Sequence, residues 1–184
     1  VWNTRKPFHR SFGPEPREKF AMQPRIRKAV NADYESLCVL FEEADARHRE
    51  HYPGIFRKPE GAVRTRGFVE GLITDEEHGL FVAEVDERVV GLLHVAIKTP
   101  SDFPILVPRR YAVIENVVVA AAFRRLGIGR ALMAKAQAWA EAVGADSIEL
   151  SVWAFNDGAV EFYRFLGYET QSRKMGKGLK RNRR

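Results

Sequence analysis

Residues 121–133, "AAFRRLGIGRALM", set two glycines two apart behind an arginine pair and run straight into a helix-forming segment. A dinucleotide-binding fingerprint needs a third glycine at position 132, where Leu132 stands. A P-loop needs Gly-Lys-Ser/Thr, where Gly129-Arg130-Ala131 stands. What remains is a strand, a short turn and a helix whose first N–H groups have no partner within the helix and point outward at the positive end of its dipole. Gly127 and Gly129 let the backbone come close to a ligand, and Arg124, Arg125 and Arg130 add positive charge around it. The stretch reads as a seat for a pyrophosphate.

The segments on either side of this turn set the fold class. Before it, "YAVIENVVVA" (111–120) is a nearly continuous β-branched run, which predicts a central strand. After it, Ile128, Leu132, Ala136, Trp139 and Val143 share one face of a helix over 127–143, closed by Gly144. "DSIELSVW" (146–153) predicts a further strand, Asn156 to Leu166 a further helix, and "GYETQSRKMG" (167–176) one or two terminal strands. Near the start, "RIRKAV" (25–30) alternates as a short edge strand does. Asn31 or Asp33 then caps a helix with the apolar stripe Leu37, Leu40, Phe41, Ala44 and His48. A loop broken by Pro53, Gly54, Pro59 and Gly61 leads to a second helix, roughly 61–74. "GLFVAEVD" and "RVVGLLHVAIK" follow as two strands joined by a tight hairpin at Asp86-Glu87. Clustered antiparallel strands joined to a strand-helix-strand-helix half give an α+β domain with a mixed sheet.

Composition narrows the function classes. A chain of 184 residues, 45% apolar, fits one domain with a sizeable core. No apolar run approaches the roughly 20 residues that a membrane span needs, and the first residues carry charge where a signal peptide has its apolar core. A cytoplasmic protein with no membrane partner is expected. Cys38 is the single cysteine, so neither an internal disulfide nor a cysteine metal cluster can form, and among Leu37, Val39 and Leu40 it reads as a small apolar residue. The net charge of +6 belongs to the ends. Residues 1–29 hold eight Lys/Arg against two Glu, residues 173–184 hold seven Lys/Arg and no acid, and residues 30–172 are net −7. Nucleic acid is therefore not the expected partner. Residues 1–23 read as an extension, disordered or vector-derived, 24–178 as the folded domain, and 179–184 as a basic tail.

With these elements in place the chain resembles a family, the GCN5-related N-acetyltransferases. The likeness runs over about residues 24–178 and rests on two motifs. The family's Arg/Gln-x-x-Gly-x-Gly/Ala pattern is met by Arg124-Arg125-Leu126-Gly127-Ile128-Gly129 between a strand and a helix. Its Asn-x-x-Ala-x-x-Phe-Tyr-x-x-x-Gly-Phe/Tyr pattern is met by Asn156, Ala159, Phe162, Tyr163, Gly167 and Tyr168. The resemblance implies a central, mostly antiparallel twisted sheet of 6–7 strands with about four helices, two strands splaying to form a cleft for CoA. It also implies transfer of an acetyl group from acetyl-CoA to a primary amine of a small molecule or peptide, by direct attack and without a metal.

The same resemblance assigns roles. The amides of Arg125, Leu126, Gly127, Ile128, Gly129 and Arg130, with Arg124, would take the pyrophosphate. Val117, Val118 and Val119 would lend backbone groups to the pantetheine arm. Asn156, Ala159 and Phe162 would complete the cofactor site. Tyr163 would protonate the leaving thiolate, for which a phenol with an ordinary pKa near ~10 is suited; as a plain residue it also fits a core beside Phe162 and Phe165. Asn156 likewise suits a helix cap. An amine with pKa near ~10.4 arrives charged and must lose a proton. Glu115 is the candidate base, since a carboxylate on a strand of Ile and Val is out of place unless it is used or ion-paired.

A histidine is the other candidate base. His48 and His51, with Tyr52, occupy the region that borders the acceptor in the family, whereas His94 reads as an ordinary strand residue. The acids Glu42, Glu43, Asp45, Glu50 and those at 75–77 would suit a cationic acceptor. A different class of function stays open, a CoA-binding regulatory module whose basic ends touch RNA or another polyanion. The apolar loop "DFPILVP" (102–108) could support a homodimer.

Overall fold

A computed structural model describes residues 24–61, 63–100 and 103–179. In chain order they form β1 (Arg25–Lys28), α1 (Tyr34–His51), α2 (Arg66–Thr74), β2 (His78–Val85), β3 (Arg88–Lys98), β4 (Tyr111–Val119), α3 (Ile128–Ala142), β5 (Ser147–Leu150) and α4 (Asp157–Phe165). The five strands lie in chain order across one sheet. The first three pairings are antiparallel and β4–β5 is parallel, the crossover being made by α3. This is the mixed α+β architecture expected.

Each face of the sheet buries one helical layer. Phe81, Leu93, Val95 and Ile114 pack against Ile128, Leu132 and Ala136 of α3. On the other face Leu80, Val82, Leu92 and Val118 meet Leu37, Leu40 and Phe41 of α1 and Val69 and Leu72 of α2. The alternation along β2 and β3 thus feeds two cores, which is why these strands read as nearly unbroken apolar runs. Their hairpin turns at Asp86 and Glu87 with φ of 48° and 61°, the left-handed pair of a two-residue turn.

Three local details depart from the sequence reading, each for a physical reason. Asp33 does not cap α1 with its side chain. Its buried carboxylate instead accepts hydrogen bonds from Arg27 at 2.7 and 2.9 Å and from the Val30 N–H at 2.8 Å, and Arg27 continues to Glu84 at 2.8 Å. Burial alone would raise the carboxyl pKa, but these bonds outweigh it and hold it below the usual range. The second helix starts at Arg66, not near 61, because Thr65 caps it by accepting the Phe68 N–H at 3.2 Å. The described residues give five strands, not six or seven: none forms after α4. In that segment Leu166 and Tyr168 turn toward the core, while Met175 and Leu179 are exposed, so there is no sustained alternating apolar face to bury.

Candidate active site

The cleft arises where two neighbouring strands part. β4 and β5 pair from Tyr111↔Ser147 to Ile114↔Leu150, where β5 ends. β4 runs on to Val119 held by β3 alone, with Leu93, Leu92 and Gly91 opposite Val117, Val118 and Val119. The register shifts at the parting point. His94 faces Asn116 and Val95 faces Ile114, so Glu115 is an extra residue on β4, a bulge. That explains a carboxylate in an apolar strand: the bulge places its side chain 37% exposed, 3.2 Å from Lys98 Nζ. Glu115 is therefore neither buried nor unpaired.

The glycine turn lies just beyond. A short 3₁₀ turn (Ala121–Phe123) leads to Arg125 and Gly127, both left-handed with φ of 64° and 82°. The first bond of α3 runs from the Ala131 N–H to the Gly127 oxygen at 3.1 Å, so the N–H groups of Ile128, Gly129 and Arg130 have no carbonyl within the helix. A Cβ on Gly127 would meet nothing within 4 Å, as an open anion seat requires. The Ile128 side chain is core, so only its amide is available to a ligand. Leu126 is half-exposed. The arginines divide. Arg124 donates to the Val119 oxygen at 2.9 Å and pairs with Glu43 of α1, whereas Arg130 lies 5.9 Å over the Phe165 ring.

The two motifs meet in space. A Cβ on Gly129 would touch Phe162 Cζ at 3.4 Å, so α4 leans on the first turn of α3. Tyr163 lies behind Phe162, with ring centroids 5.4 Å apart, and edge-on to Tyr168 at 5.9 Å. Burial pushes its phenol up to about 12, so the proton stays on at any ordinary pH. Asn156 occupies the N-cap position of α4 but makes no side-chain capping bond, which leaves its amide free for a ligand; Ala159 is half-buried one turn on.

A third group is aromatic. His48 and His51 end α1 and Tyr52 follows. His48 stacks on Phe56 at 5.2 Å, His51 on Phe155 at 4.0 Å, and Tyr52 lies 4.9 Å from Trp153. Burial lowers the His48 pKa more than Asp45 raises it, so this ring is neutral near pH 7. The acids proposed to attract a cation are largely engaged: Glu42 with Arg49, Glu43 with Arg124, Asp45 with Arg64 and Glu77 with Arg110. Sequence reading missed Phe56, which lies in an irregular loop, and Trp153 and Phe155, which it places at or just past the end of a strand, although the "WAF" following "IELSV" is a visible aromatic cluster.

The comparisons now bear on this geometry. A model of the acetyltransferase (GNAT) family matches residues 29–168. The chain belongs to this family. An uncharacterized N-acetyltransferase of Methanocaldococcus jannaschii is 32% identical over 144 residues, 78% of this GNAT chain and 60% of that protein. An N-alpha-acetyltransferase of Sulfurisphaera tokodaii is 36% identical over 150 residues, 79% of this chain and 80% of that protein. Among solved structures, a mutant of the Bacillus halodurans protein BH1408 superposes with a TM-score of 0.79 at 26% identity, covering 84% of this chain and 99% of its own. An aminoglycoside N-acetyltransferase solved with CoA shares the GNAT fold, with a TM-score of 0.65 at 16% identity over 85% and 99% of the two chains. Among the described residues no group of three His, Cys, Asp or Glu is placed to hold a metal, and no helix is long and apolar enough to cross a membrane.

Proposed function

We propose that this protein is an acetyl-CoA-dependent N-acetyltransferase acting on a primary amine. The observation that carries the reading is the parting of β4 from β5 directly beside the free amides of α3. A thioester laid along residues 117–119 would have its pyrophosphate on the Gly127–Arg130 turn, where backbone N–H groups and the helix dipole favour an anion. The acetyl group would then lie near Glu115. An amine arriving from the side of His48, Tyr52 and Trp153 would give a proton to Glu115, through water, and attack the thioester carbon. As the carbon–sulfur bond breaks, Tyr163 would protonate the thiolate, a role its retained proton suits. His48 is the alternative base.

The name of the Sulfurisphaera relative makes a peptide N-terminus the first acceptor to try. The test is release of CoA thiol with a free-N-terminal peptide, the same peptide blocked at its N-terminus but bearing lysine, a polyamine and an aminoglycoside. Turnover on one class supports the reading and assigns the acceptor. CoA binding with no turnover on any amine, together with salt-dependent RNA binding, would favour the regulatory module. The cytoplasm is the expected compartment, and a homodimer through the exposed Ile105 and Val107 would show in sedimentation.

A further inference from the structure

Two histidines outside this scheme are joined to each other. His78 opens β2 and His94 lies mid-way along β3, where it faces Leu80, so the two rings are diagonal neighbours on the face covered by α1 and α2. They stack 5.1 Å apart, with His78 Nδ1 2.8 Å from His94 Nε2. Such a contact holds one proton: one ring donates and the other accepts. Each ring keeps its second nitrogen. That of His78, Nε2, lies 3.8 Å from Asp75 Oδ2, a half-exposed carboxylate at the end of α2. His94 lies at the inner end, opposite Asn116 and thus beside the Glu115 bulge.

We propose that His94 and His78 relay the proton taken up by Glu115 outward to solvent beside Asp75. The inference rests on the reading of Glu115 as the base. One proton passes from the Glu115 carboxyl, through water, to His94; the pair shifts its shared proton, and His78 releases one from Nε2. The carboxylate is restored with no net change in charge. His78 and His94 are therefore positioning residues that act through Glu115.

The surroundings suit a transient proton. Besides His78, the charges that act on His94 are Glu115 of β4, which favours its protonation, and Lys98 of β3 and Arg64 ahead of α2, which oppose it. Arg64 is itself paired with Asp45 of α1 at 2.6 Å. Burial and the second imidazole hold His94 at about 4, so a proton does not rest on the inner ring.

Imidazole ¹⁵N spectra of the full chain across the acid range, with and without Glu115→Gln, test the connection without any acceptor. Loss of the Glu115 charge must lower the protonation midpoint of His94 by at least ~0.5 pH. A midpoint that does not fall overturns the relay. In thiol-release assays His78→Gln, a change at a partly exposed strand end, must lower kcat about 5-fold or more, leave KM for acetyl-CoA unchanged, and recover with added imidazole buffer. Full activity in His78→Gln, or a loss that imidazole does not relieve, overturns the relay while an inactive Glu115→Gln keeps the base. Full activity in Glu115→Gln removes the base and the relay together.

Discussion

The two walls proposed for the cleft, one for the donor and one for the acceptor, are made from different materials. On the donor side the surface offered to a ligand is backbone: the β4 edge over 115–119 that β5 abandons, then the amides of Ile128, Gly129 and Arg130. On the acceptor side it is side chains, His48, Tyr52, Phe56, Trp153 and Phe155, drawn from the end of α1, its following loop and the segment after β5. A backbone surface constrains sequence through glycine and helix position, whereas a side-chain surface can be rebuilt residue by residue without disturbing the fold. One family can therefore keep its donor and change its acceptor, and changes on the two walls should separate cleanly in kinetics.

Tyr163 packs between Phe162 and Tyr168 behind the α3 turn, and its loss should have the largest effect. Tyr163→Phe removes the phenolic proton and keeps the ring that packs on Phe162 and Tyr168. Turnover should fall about 100-fold, the usual contribution of a placed general acid, with CoA affinity by calorimetry nearly unchanged. Because burial holds this phenol near 12, the rate below pH 10 should show no titration belonging to it. An unaltered kcat would remove Tyr163 from the chemistry and leave it as packing.

The sheet face under α1 and α2, where His94 lies, should lose stability in acid. His94 binds its proton at about 4 in the folded chain against an ordinary 6.5. Between those values the unfolded chain holds more protons, so stability is complete above pH 6.5 and declines as the pH falls toward 4. The difference amounts to about 3 kcal/mol. Urea midpoints should drop across this window in the wild type and drop less in His94→Gln. Parallel pH curves would show that the His78–His94 contact does not govern acid stability.

The contrast also explains what could be read in advance. The turn and helix start at 124–130 were legible because glycine at fixed offsets marks such a turn, and the helix from Asn156 because a helix carries its pattern locally. The hairpin at Asp86-Glu87 followed from period and turn chemistry. The bulge at Glu115 was not legible, since it depends on where β3 and β4 slip relative to each other. The His78–His94 contact is a matter of cross-strand register, and the aromatic cluster joins residues about a hundred positions apart. Arg124 shows the same limit inside a motif: sequence placed its charge at the phosphate, while the fold directs it to Val119 and Glu43.

Gly129→Val tests the donor wall alone. Its Cβ would already touch Phe162 at 3.4 Å, and the two further methyl groups would crowd that ring and the helix start. CoA should bind about 10-fold more weakly, near 1.4 kcal/mol, while kcat at saturating acetyl-CoA stays within a factor of a few. Equal losses in CoA and acceptor affinity would mean that the walls are not separable.

Arg124→Ala should have the smallest effect, and for that reason it probes the comparison most directly. If charge made the seat, losing the first arginine of the motif should weaken CoA binding as much as losing a glycine. In the fold the Arg124 guanidinium is half-exposed and already bonded to the Val119 oxygen and Glu43, so its removal breaks a surface ion pair and one main-chain contact. Such pairs contribute less than about 1 kcal/mol, and CoA affinity should change less than about 3-fold. A larger loss, growing as salt is lowered, would show that Arg124 leaves Glu43 to meet the phosphate and that the donor wall, too, is partly made of side chains.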